Sequence, residues 1–273
     1  MRFARLVLPT LLILPAAASP SLAASALIPH RAVYDLALES ASDRSGITGI
    51  KGRMVYEFNG SACDGYTVTF RFVTRIDTSE TSRLTDQQTT TYEQGDGDSF
   101  NFVTRSFIDS ALDQELKGTA ELQGDMTQVS LEKPEARELT LDQTQFPTQH
   151  MIELIGKAEA GETFYETSVY DGSEDGDKVM TTTIVIGKEE TPGNRDPELK
   201  AMEPLKEEMF WPVDIAYFDL NDVAGEGLPT YRISFKLHES GVTRDLVMDY
   251  GDFAMTGTLV DLAMFDAPAN CSQ

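Results

Sequence analysis

Only two cysteines, three histidines and one tryptophan occur in the 273 residues, and basic side chains are few. Lys and Arg number 22 against 45 Asp and Glu, a formal charge of −23. That deficit excludes a nucleic-acid binder, because phosphate recognition needs a clustered positive surface. The same charge would be repelled by an anionic membrane face, so a well-solvated exterior is its plainer meaning. Serine-hydrolase elbows, phosphate-binding loops and dinucleotide glycine fingerprints are all missing. After the first two dozen residues no apolar run approaches the roughly 18 residues of a membrane-crossing helix. What the chain does have is 41% hydrophobic and 9% aromatic residues. That is enough for a substantial core, and it rules out disordered and collagen-like chains.

The first 23 residues read as an address. Arg2 and Arg5 give a short basic start, Leu6 to Ala18 is apolar, and Ser21-Leu22-Ala23 places small residues where a signal peptidase reads them. This is the layout of a Sec signal peptide cleaved after Ala23. Pro9 and Pro15 interrupt the apolar run, which is also too short for a membrane span. Removing it takes the charge from −23 to −25. Residues 24–273 are then expected to form one soluble domain in the periplasm.

In an oxidising compartment Cys63 and Cys271 most simply form one disulfide. The loop it would close, residues 63 to 271, has 209 residues, for which chain entropy alone gives about 5 kcal/mol. Cys63 sits in a turn-rich stretch, Asn59 to Gly65, and Cys271 lies two residues from the end. The competing reading is a reactive or metal-binding thiol, but neither cysteine has a CxxC partner or a nearby His or Lys.

Alternating apolar and polar residues recur along the chain, the period-two pattern of half-buried strands. Tyr66, Val68, Phe70 and Phe72 share one face, and Tyr231, Ile233, Phe235 and Leu237 another, with His238 on the polar side. Similar runs are Val33–Leu38, Met54–Phe58, Phe100–Val103, Leu116–Leu122, Val129–Leu131, Leu139–Leu141, Met180–Ile186 and Leu246–Leu259. Turn pairs such as Asn59-Gly60, Gly124-Asp125 and Ser240-Gly241 fall between them. Strand and turn signals at this interval predict an antiparallel meander, and one this large should curl to limit exposed edges. The expected fold is mainly β, a large curled antiparallel sheet with one main helix. That helix is predicted over Phe146–Gly161, with Thr148 as its cap and Met151, Ile152, Leu154, Ile155 and Ala158 as its apolar stripe. Asp196 to Met209 could hold a short helix limited by Pro197 and Pro204.

Asp171 to Asp177 begins like a calcium loop, but its twelfth position is Thr182 where a bidentate Glu should close the site. It and Glu93 to Asp98 read as solvated hairpin tips. His30, His150 and His238 have no metal-ligand spacing. The stretch around Trp211 is a binding patch if exposed and a core anchor if buried; the anchor is the plainer reading. No metal, cofactor or catalytic residue is assigned, and the chain is read as non-enzymatic.

Pro29 to Leu36, Gly60 to Tyr66 with its Cys63, Phe146-Pro147-Thr148-Gln149-His150, Tyr170-Asp171-Gly172-Ser173 and Cys271 together resemble the EipB family of Gram-negative periplasmic proteins. The resemblance runs over essentially the whole mature chain and rests on the order and spacing of these strings, none of them specific alone. It implies a monomeric β-spiral wrapped on a helix, with a disulfide at the positions of Cys63 and Cys271. It implies a role in cell-envelope integrity and stress resistance, exerted through contacts with proteins or other envelope components, and a genetic link to a periplasmic tetratricopeptide-repeat protein. The family fold is similar to that of the LolA and LolB lipoprotein carriers, so a carrier of lipid or lipoprotein acyl chains is the alternative function. The family has no known catalytic residues to carry over.

Overall fold

The computed structural model of the chain describes residues 27–219 and 227–266. Fourteen strands follow one another: β1 (His30–Ala41), β2 (Ile47–Ser61), β3 (Gly65–Thr78), β4 (Ser82–Glu93), β5 (Ser99–Ile108), β6 (Ala111–Gln123), β7 (Met126–Lys133) and β8 (Arg137–Asp142), then β9 (Phe164–Val169), β10 (Met180–Ile186), β11 (Phe210–Phe218), β12 (Tyr231–His238), β13 (Thr243–Asp249) and β14 (Phe253–Met264). The α-helix α1 (Pro147–Glu159) lies between β8 and β9. All fourteen strands form one antiparallel sheet, as expected. Its order is β8 to β1 in reverse sequence, then β14 down to β9. Two meanders are therefore joined along one seam, where β1 pairs with β14.

The sheet is open, yet its two edges come close. Gln145, just past the edge strand β8, forms a parallel bridge with Val169 at the end of β9, the opposite edge. The Gln145 amide donates to the Ser168 carbonyl at 2.9 Å, and the Tyr170 amide donates to the Gln145 carbonyl at 2.9 Å. These bonds cover an otherwise unpaired ladder. Beyond β9 the chain folds back over β5 to β7. Tyr170 is buried with its ring 5.9 Å from Phe102, and its hydroxyl donates to the Gly176 carbonyl at 2.8 Å. Residue 172 must be glycine: φ is +65°, and a Cβ there would meet the Phe102 ring at 2.7 Å. The Asp171–Asp177 segment is thus the β9–β10 connection, a flap that packs through Gly172 and Gly176 while Asp171, Ser173, Glu174 and Asp175 stay exposed, as the reading as a solvated hairpin tip expects.

The larger apolar cluster fills the curl between α1, β1 to β3 and β10 to β14, and a smaller one lies between β5 to β7, Phe146 and Tyr170. Leu154, Ile155 and Ala158 of the helix are buried, with Met151 and Ile152 packed beside them. Trp211 is buried in the same cluster, as the anchor reading expects.

Two further expectations are corrected. The short helix in 196–209 is a single 3-10 turn, Glu203–Leu205. His238 is fully buried, because the chain between β10 and β11 lies against it. Asp196 and Glu198 of that segment reach Arg244, itself fully buried, at 2.7 and 3.2 Å. Arg244 Nε donates to His238 Nε2 at 2.9 Å. Glu198 Oε1 also accepts the backbone amides of Asp245 (3.1 Å) and Leu259 (2.6 Å), standing in for ladder bonds where β13 departs from β14.

Candidate functional site

The curled sheet and α1 line a cavity of about 790 Å³ that is partly open to solvent, within the range of small-ligand sites. Strand pairing fixes what lines it. One row across the inner face runs Tyr34, Met54, Phe72, Gln87, Ser106 and Gln114, each opposite the next on the neighbouring strand. The row beside it carries Tyr56, Phe70, Thr89, Thr104 and Leu116. The wall is therefore aromatic and aliphatic on β1 to β3 and turns hydroxyl- and amide-bearing on β4 to β6. Opposite stand Ile215, Ile233, Phe235, Leu246 and Met248, all apolar.

The helix fills the end of the cavity near Trp211, and Pro147, Thr148, His150, Met151 and Leu154 face the space. Thr148 does not cap the helix, a correction to the sequence expectation. The capping position is Phe146, which has no side-chain oxygen to offer. The carboxylate of Glu93 does the work from the end of β4, accepting the amides of Thr148 at 2.8 Å and Gln149 at 2.9 Å. Two free amide donors and the positive end of the helix dipole hold that anion. Burial nonetheless pushes the Glu93 carboxyl above its usual pKa, against those bonds. Glu93 is 1% exposed, so it departs from the solvated-tip reading, whereas Gln94, Asp96 and Asp98 of the β4–β5 turn are exposed as expected.

His150 is buried, its Nε2 has no partner, and burial lowers its pKa to about 4. It is the neutral imidazole that meets the cavity. His30 also lines the space; burial holds its pKa below the ordinary value, while its Nδ1 lies 2.8 Å from the Ile28 carbonyl. At the far end of β11 and β12 from Trp211, Tyr217, Tyr231 and Tyr250 pack as a chain of tilted rings with centroids 5.5 and 4.9 Å apart. All three line the cavity.

The three histidines do not converge on one point. His238 sits in the Arg244 network and only His30 and His150 share the cavity; among the described residues no group of three or more His, Cys, Asp or Glu could hold a metal ion. Cys63 lies in the turn between β2 and β3, its amide donating to Ser61 Oγ at 3.3 Å, and it is not a free cysteine. Cys271 and the segment 1–23 lie outside the described residues. Sequence reasoning missed the polar half of the cavity wall and the role of Glu93. The signal for both was present in β4, where Gln87, Thr89, Thr91 and Glu93 alternate with outward-facing neighbours.

A family model described as EipB-like matches residues 21–266 of the chain. The chain is 53% identical over 256 residues to the cell envelope integrity protein EipB of Brucella abortus, across 93% of this chain and 90% of that protein. A solved structure, described as a beta-barrel-like protein of a domain of unknown function from Brucella abortus, superposes with a TM-score of 0.84. It is 55% identical, over 88% of this chain and 99% of that one.

Proposed function

From the premise that this chain belongs to the EipB-like family, we propose that it is a non-enzymatic periplasmic protein that supports the cell envelope by holding an apolar chain of an envelope lipid or lipoprotein. The observation that carries the reading is the cavity of about 790 Å³ between the curled sheet and α1. An apolar wall of this extent gains dispersion contacts and is taken out of water when an apolar ligand covers it. Met54, Phe70 and Phe72 on one side and Ile233 and Met248 on the other offer an alkyl chain apolar walls. Among the described residues no helix is long and apolar enough to cross a membrane.

Export through the segment 1–23 and contact with a tetratricopeptide-repeat protein of the same compartment belong to the same proposal. The test is native mass spectrometry of protein purified from its own periplasm. The expected result is a population carrying the mass of a lipid or acyl chain. A bare protein that also fails to bind the neutral fluorophore N-phenyl-1-naphthylamine would leave contacts on the outer surface as the means of envelope support.

A further inference from the structure

The interior of the sheet is chemically divided, and this division bears on what its ligand carries besides an apolar chain. An antiparallel strand with one face toward a core alternates apolar and polar residues. On β4 the inward positions are instead Gln87, Thr89 and Thr91, joined across the ladder by Thr104 and Ser106 on β5 and by Gln114 on β6. Thr89 and Thr104 already share a hydrogen bond of 2.9 Å, and each hydroxyl retains further bonding capacity. Across the cavity Tyr217, Tyr231 and Tyr250 present amphipathic rings.

Charge is as informative as polarity. No lysine or arginine is among the described residues that line the cavity, whereas Asp171 and Glu174 of the flap are. Both cavity histidines are buried, and His150 Nε2 has no partner. A phosphate or carboxylate head would find no lysine or arginine in the wall to offset its desolvation, and Asp171 beside it, while Lys178 at the rim is already paired with Glu174 at 2.8 Å.

Resting on the reading of the cavity as an apolar-chain site, we infer that its ligand is an amphiphile with an uncharged, hydroxyl- or amide-bearing head, seated against the Thr/Gln wall of β4 to β6. A sugar-like head fits this wall, because Thr, Ser and Gln both donate and accept and tyrosine rings offer flat apolar faces.

The test holds the alkyl chain constant and varies the head. Dodecyl maltoside, dodecanoate and dodecyltrimethylammonium, each below its micelle concentration, compete with N-phenyl-1-naphthylamine for the mature protein. The maltoside should displace the probe at about tenfold lower concentration than dodecanoate, the worth of one or two added hydrogen bonds. Gln87→Leu, and separately Thr89→Val with Thr104→Val, should reduce this preference to about threefold or less, read within each folded variant as the ratio of the two displacing concentrations so that any change in probe affinity cancels. Equal or better displacement by dodecanoate or by the cationic amphiphile overturns the neutral-head assignment and leaves the apolar-chain site standing. So does a preference that survives both variants in folded protein. Failure of the unaltered protein to bind the probe at all overturns the apolar-chain site itself.

Discussion

His150 and Arg244 are the residues whose burial has the largest calculable consequences. The folded state keeps His150 neutral down to about pH 4, whereas an unfolded chain takes up that proton near 6.5. Its contribution is therefore intact above pH 6.5 and is lost progressively as the pH falls toward 4. Glu93 and Glu198 act in the opposite sense: burial raises both carboxyls, so the folded protein binds their protons first and gains stability on acidification. The whole-protein profile sums these effects, and a substitution isolates one. His150→Leu should lose less stability than the unaltered protein between pH 7.5 and 5, by about 2 kcal/mol from one and a half pH units at about 1.4 each. Urea midpoints at the two pH values measure it; identical acid losses would place the titration elsewhere. Arg244 is fully buried between Asp196, Glu198 and His238, with its guanidinium carbon 4.9 Å from the Phe210 ring centre. Arg244→Met leaves two buried carboxylates without their main cation, and should cost about 3–5 kcal/mol in equilibrium unfolding. A loss under 1 kcal/mol would show that water or Lys236 already neutralises them.

At the scale of elements, α1 depends on a strand remote in sequence. Its first amides are held by Glu93, more than fifty residues earlier. Glu93→Ala should cost about 2 kcal/mol, since it removes both acceptors at a buried helix start. The amides of Thr148 and Gln149 should exchange faster with solvent, and Glu93→Gln should recover part of the loss. Unchanged exchange at those two amides would mean that another group caps the helix. The helix itself was legible because Leu154, Ile155 and Ala158 recur at its period and Gly161 takes a φ of +76° just beyond its end. Its cap was not, because capping rules look for an oxygen next door. The same limit hid three strands. On β4 both faces are polar, because the inner one meets a cavity instead of packed core. β9 is a short edge strand whose Phe164 points outward, 56% exposed. β11 is mostly buried on both faces, so Phe210 to Phe218 reads as a continuous apolar patch without alternation. His238 was misplaced for a related reason: strict alternation puts it on the wet side of β12, and only the chain between β10 and β11 makes that side dry.

For the whole molecule, the decisive feature is the seam between β1 and β14, which alone joins the two meanders within the sheet. Hairpin contacts were readable from local alternation; this pairing was not, because its partners stand more than two hundred residues apart. The seam sets the distance that the disulfide expected from the sequence would have to span. His30 is opposite both Phe58 on β2 and Met264 on β14. These two positions therefore lie two strand spacings apart, about 10 Å. Both strands run antiparallel to β1, so both leave the sheet at the same end. Cys63 follows Phe58 by five residues and Cys271 follows Met264 by seven, a reach of up to about 17 and 24 Å. A bond between them lies within that reach and would fasten the chain leaving β14 to the β2–β3 turn, across the ladder that joins the two meanders. Cys63→Ser should then lower stability by up to about 5 kcal/mol. Reductant should bring the unaltered protein to the midpoint of the variant and leave the variant unmoved. Two thiols titrating in unreduced, denatured protein, together with a midpoint indifferent to reductant, would show that the seam holds through its ladder and packing alone.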